Sequence, residues 1–169
     1  MSIDLVPSVA IAADAGTLSF VDRSRQIEHR SVWTTGLRAA LRVPYTDIEL
    51  GGFLAGGEGR MLHAIGGLFG GVRVGEFVGP VRPAFGFHVG LASLTEHALA
   101  VTNTHAFLTL TPSFGVDFPV SRRITVGSAI AYTYGIDLEK NGVGPQRGGE
   151  QSQFDRTWIT LSANVRYRF

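Results

Sequence analysis

The chain contains no cysteine, so it can form neither a disulfide nor a thiolate metal site. It also lacks a dominant charge: fifteen lysines and arginines stand against fourteen acidic residues, a formal net charge of +1. That balance gives no electrostatic ground for a nucleic-acid partner or an acidic substrate. No run of about 18 apolar residues occurs, which excludes a transmembrane helix. A membrane-crossing strand is not excluded, because it needs only about 9–11 residues and leaves a weaker hydropathy signal. Residues 1–16 lack the basic start of a secretory leader, and Asp4 and Pro7 interrupt their apolar run. Ala10-Ile11-Ala12-Ala13 has the small-residue look of a cleavage site, but the expectation is a chain whose leader was removed before Met1.

What is present is glycine and alternation. The 22 glycines exceed the roughly 7% of average usage, and they are spread through the apolar segments rather than gathered in a linker. The length suits one domain, expected to cover residues 1–169. In residues 158–169, Ile159, Leu161, Ala163, Val165, Tyr167 and Phe169 fall on one side of a strand. Thr160, Ser162, Asn164, Arg166 and Arg168 fall on the other.

Seven further runs alternate in the same way, over residues 3–13, 31–43, 47–56, 61–74, 82–92, 105–118 and 124–137. The apolar sides carry Ile3, Leu5, Val9 and Ile11 in the first run, Trp33, Leu37 and Leu41 in the second, and Ile48, Leu50 and Leu54 in the third. They continue with Leu62, Leu68 and Val72, then Phe85, Phe87 and Leu91, then Leu108, Leu110 and Phe114, then Ile124, Val126 and Ile130. None of these sides holds Asp, Glu, Lys or Arg. The opposite sides hold Arg38, Arg42, Asp47, Glu49, Arg73, Arg82, His88, Asp117, Arg166 and Arg168, with many small residues. Short turns are expected at Pro44–Thr46, Gly75–Pro80, Pro119–Arg123 and Gly56–Gly59. Longer loops are expected at Asp14–Arg30, Ser93–Thr104 and Glu139–Asp155.

Eight alternating strands allow a soluble lipocalin-like barrel or a membrane barrel, and composition decides between them. An eight-stranded interior is just wide enough to be filled by side chains, so small residues and paired charges fit there. The bulky apolar side would then face outward, a surface that monomers do not expose to water but that hydrocarbon accepts. Tyr45, Phe118, Tyr167 and Phe169 group at one rim and Trp33, Tyr132 and Tyr134 near the other, as headgroup girdles do.

With its terminal strand closing on Phe169, the whole chain resembles the compact eight-stranded outer-membrane barrels typified by the OmpA transmembrane domain and OmpX. The resemblance implies an antiparallel up-and-down transmembrane β-barrel in the bacterial outer membrane, with both termini periplasmic. It implies outer-membrane lipid, lipopolysaccharide and the barrel-assembly machinery as partners, no nucleic acid, and a monomer. Val165, Tyr167 and Phe169 correspond to the tail that the insertion machinery reads. The peptidoglycan-binding domain that follows many OmpA-type barrels does not appear before Phe169.

The charged inward residues are expected to form an ion-pair network that plugs the lumen, with Arg42 beside Asp47 across the turn. His63 and His88 are expected on neighbouring strands, but with no other ligand at suitable spacing neither a metal site nor any cofactor is expected. Lipid A deacylases of barrel type carry a His-x-Ser-Asn motif. Here Val126 stands two before Ser128, and Leu99 and Phe107 stand two after His97 and His105, so no enzyme is expected. The expected role is non-enzymatic, with loops for surface contact or envelope integrity. The alternatives are a small channel of the OmpW type for small or hydrophobic molecules, then a lipid A-modifying enzyme, then a soluble carrier.

Overall fold

The computed structural model describes residues 7–21, 31–56, 62–98, 101–138 and 156–169. Eight strands follow one another: β1 (Ser8–Val21), β2 (Ser31–Val43), β3 (Thr46–Gly56), β4 (Leu62–Gly75), β5 (Arg82–Ala98), β6 (Val101–Pro119), β7 (Ile124–Asp137) and β8 (Arg156–Arg168). Each pairs antiparallel with its sequence neighbour, and β8 returns to β1, so the sheet closes as an up-and-down barrel. Closure removes the edges that an open sheet would leave unpaired. The end where β1 begins and β8 finishes is called basal here, and the other distal.

The expected alternation sets the sidedness. Leu68 is 72% exposed and Phe85 69% exposed on the outer surface, and Leu37, Leu50, Leu54 and Leu91 accompany them. No Asp, Glu, Lys or Arg among the described strand residues shares that outward register. Arg73, Arg82, Asp47, Glu49, Asp117 and Arg166 are buried inside. Tyr45, Phe118, Tyr167 and Phe169 are exposed around the basal rim, and Trp33 near the distal one. Three tight connections occupy the basal end. Pro44-Tyr45 is the shortest, and Tyr45 adopts φ 65°, a left-handed conformation that disfavours side chains. Gly79, φ 63°, sits inside the Val78–Val81 bridge, where only glycine takes that backbone without strain.

Two expectations are corrected. The first strand is not residues 3–13 but Ser8–Val21, so Asp14 to Val21 belong to the barrel rather than to a loop. Beyond Ile11 its outward side reads Ala13, Ala15, Thr17, Ser19, and this weak apolar signal hid the alternation. The expected loop Ser93–Thr104 is instead strand on both sides, paired up to Ala98↔Val101. There the polarity inverts, with Leu94 buried inside and Ser93 and Thr95 outside. A search for apolar residues on the outer face stops too early where strands rise past the apolar belt. Asp22–Arg30, the centre of the Gly56–Gly59 turn, loop Glu139–Asp155 and the side chains of His63 and His97 lie outside the described residues.

Candidate functional site

Among the described residues the lumen gathers the largest group of ionised side chains, supplied from seven strands. Alternate residues of each strand point inward, so Arg38 and Arg42 of β2 face Asp47 and Glu49 of β3 across the Pro44–Tyr45 turn. Arg42 pairs in register with Asp47, Nε 3.4 Å from Oδ1, as the turn geometry requires.

From that hairpin a chain of charge-assisted hydrogen bonds and ion pairs crosses the barrel. Arg38 binds Asp14 of β1 through two nitrogens, Nη2 to Oδ1 at 2.6 Å and Nε to Oδ2 at 2.9 Å. Its Nη1 donates to Glu49 Oε2 at 3.0 Å, and His88 Nε2 of β5 lies 2.9 Å from the same oxygen. Arg166 of β8 spans both acids, Nη2 donating to Glu49 Oε1 at 3.0 Å and Nη1 to Asp47 Oδ2 at 2.7 Å. Arg82 of β5 donates to Asp47 Oδ2 at 2.7 Å and lies 3.7 Å from Asp117 of β6. Arg73 of β4 closes on Asp117 with a two-pronged contact at 2.8 and 3.1 Å. Planar guanidiniums match carboxylates in this forked geometry, which is why arginine rather than lysine occupies every cationic position.

Burial makes these contacts obligatory. Arg82 is 1% exposed and Asp47 0%. An ion in such a place is tolerated only with partners. Neighbouring glycines make the room. A Cβ at Gly127 would lie 2.6 Å from Asp117 Oδ1, and one at Gly115 would lie 2.8 Å from Arg73 Nη2. Asp47 Oδ1, Arg82 Nη2, Arg166 Nε and both amide atoms of Asn164 form no hydrogen bond to another protein group.

Of the ten charge-network residues named from the sequence, the structure brings Arg38, Arg42, Asp47, Glu49, Arg73, Arg82, His88, Asp117 and Arg166 within ion-pair distance of one another. The tenth, Arg168, lines a basal vestibule of about 430 Å³ with Arg42, Arg122 and Arg123. Asp14 was missed because its strand was read as a loop, yet it shares inward parity with Ala10 and Ala12. Val165, Tyr167 and Phe169 face outward, and the Tyr167 and Phe169 rings meet edge to face at 5.1 Å.

The distal lumen was misread. It holds an apolar layer of Leu18, Val32, Ile65, Leu94, Phe107 and Trp158, joined by Phe20 and Phe53, with the buried Asp137 beside it, 3.9 Å from His105. Between the two layers lies a cavity of about 140 Å³ whose wall is largely hydroxyls and small residues. The described residues contain no group of three His, Cys, Asp or Glu side chains placed to hold a metal.

No protein-family model matches the sequence, and no curated protein does. Solved structures do match. Neisserial surface protein A superimposes with a TM-score of 0.76 at 14% identity, over 97% of this chain and 99% of that one. The N-terminal β-barrel domain of Pseudomonas aeruginosa OprF gives 0.60 at 8% identity, over 95% and 97%. Ail, the attachment invasion locus protein of Yersinia pestis, gives 0.58 at 9%, over 96% and 97%. The chain has the fold of the small eight-stranded outer-membrane β-barrels. At these identities the likeness reaches the architecture and stops short of activity.

Proposed function

We propose that this chain is an integral protein of the bacterial outer membrane, monomeric, with both termini periplasmic and a lumen closed by its own side chains. It catalyses no reaction. It serves as a rigid scaffold whose distal loops make surface contacts or support envelope integrity. The observation that carries this reading is the pairing of an unbroken apolar outer belt with a lumen filled twice, by ion pairs basally and by apolar packing distally. Water would not tolerate the first, and a conducting pore would not need the second. Lipid and lipopolysaccharide are the surroundings this belt suits, and Val165, Tyr167 and Phe169 are the side chains offered to the assembly machinery. Two of the superimposable barrels are described as a surface protein and an attachment protein, which supports a role at the cell surface.

Reconstitution in planar bilayers tests the closed lumen, with no steady single-channel conductance as the expected result. Large, steady conductance would favour the small channel instead. Heat-dependent gel mobility in detergent tests the membrane barrel itself, and protease cleavage of intact cells within residues 139–155 tests the orientation.

A further inference from the structure

A net charge of +1 conceals how unevenly the charges are placed. The ion-pair network of the basal lumen is itself one cation in excess, five guanidiniums to four carboxylates. Between it and the basal opening, the vestibule of about 430 Å³ adds Arg122, Arg123 and Arg168 against Glu76 alone. Even with Arg168 set aside as already engaged, the described side chains at this end keep a surplus of two positive charges. Arg82 and Arg166, 1% and 3% exposed, bound the vestibule from within. Their Nη2 and Nε, respectively, form no hydrogen bond to another protein group. Buried charges are little screened, and a cleft walled by one sign of charge focuses its field on the space it encloses.

The cations at the mouth are held by the turns that carry or face them. Ser121 Oγ accepts from the backbone N–H groups of Arg123 at 3.2 Å and Ile124 at 3.0 Å, which fixes the β6–β7 turn. Arg123 Nη1 donates to the Tyr167 hydroxyl at 3.2 Å, which occupies one of its five N–H donors. Arg42 lies over the Phe77 ring of the β4–β5 turn, its Cζ 5.7 Å from the centroid. Groups ordered in advance lose less freedom when a ligand arrives. The vestibule's volume falls in the range of small-ligand sites, about 300–1,000 Å³. A carboxylate offers two oxygens in one plane, whereas a phosphate group offers three diverging oxygens and up to two charges. The second suits guanidiniums brought together from β2, β8 and the β6–β7 turn.

We propose that the basal vestibule binds a phosphate-bearing anion, with Arg42, Arg122 and Arg123 as its direct contacts and Arg82 and Arg166 attracting it from behind. The phosphate arrives either on a soluble compound or as the headgroup of an anionic phospholipid in the adjoining leaflet. The site needs only the closed barrel, whereas a lipid source needs the membrane reading above as well.

Phosphatidylcholine nanodiscs leave both ends of the barrel open to solvent, so the full chain is titrated in them with inorganic pyrophosphate by calorimetry. One saturable site per chain is expected. Arg122→Gln with Arg123→Gln should weaken binding about ten-fold or more, through the loss of charge-assisted hydrogen bonds. Glu76→Gln should tighten it by removing a repulsive charge, an effect that a merely structural role would not produce. All three positions are exposed turn residues outside the buried ion pairs, and heat-dependent gel mobility verifies that each variant folds. Mass spectrometry of protein released from nanodiscs of equal phosphatidylcholine and phosphatidylglycerol separates the two sources. Retained phosphatidylglycerol that the double arginine variant loses identifies a lipid headgroup. Pyrophosphate binding without such retention identifies a soluble phosphate, and either result supports the site. No saturable binding in either experiment, binding that the substitutions leave unchanged, or equal affinity for acetate overturns it. Failure to enter nanodiscs counts against the membrane reading instead, and the pyrophosphate titration in detergent then decides the vestibule by the same criteria.

Discussion

The basal lumen holds five guanidiniums, Arg38, Arg42, Arg73, Arg82 and Arg166, around four carboxylates, Asp14, Asp47, Glu49 and Asp117. The distal lumen, enclosed by the same eight strands, is filled mainly by Leu18, Ile65, Leu94, Phe107 and Trp158, with Asp137 and His105 beside them. One end is filled by directional contacts in which every group depends on particular partners. The other is filled by packing that asks mainly for volume. The difference teaches that a narrow barrel needs its interior filled but does not dictate the chemistry. It also means that errors at the two ends should have different consequences.

The largest effect is expected from Arg166→Leu, which strips a partner from both Asp47 and Glu49. A loss of about 3–5 kcal/mol should appear as a lower denaturant midpoint in vesicles. Trp158→Ala at the distal end should cost a similar or slightly smaller amount, about 3–5 kcal/mol, through the cavity it leaves. The two should differ in rescue. Asp117→Leu alone strands Arg73 and should cost about 3–5 kcal/mol, but adding Arg73→Met should recover most of it, since apolar replacement of a whole buried pair is often neutral. If the double variant is no more stable than the single one, the ionic layer has a role that packing cannot replace.

Outside the barrel, Leu68→Arg should cost about 2–4 kcal/mol if Leu68 lies near the bilayer midplane, measured by the same unfolding. The smallest effect is expected at Asn164, whose buried amide has no hydrogen-bond partner. Asn164→Val should change stability by less than about 1 kcal/mol, because no hydrogen bond to another protein group is lost. A large loss there would reveal a bonded partner and a more tightly knit basal network.

Much of this was legible from residue order because alternation with period two is a property of the strand alone. β2 and β7 were bounded correctly to the residue, and Arg42 was placed beside Asp47 by one short turn. Legibility failed where the outer face stopped being apolar. Thr17 and Ser19 in β1, and Ser93 and Thr95 in β5, look like loop residues until Leu18 and Leu94 are seen pointing inward. The same lapse concealed both Asp14 and the apolar distal layer. A parity count through Leu18, Val32, Phe107 and Trp158 would have found that layer.

The order of residues alone determined which side chains face outward, because each strand's pleat assigns faces without reference to any other strand. Which inward groups meet was decided by closure. Arg166 reaches Asp47 across 119 residues of chain, and only the stagger at which eight strands join into a ring puts the two at 2.7 Å.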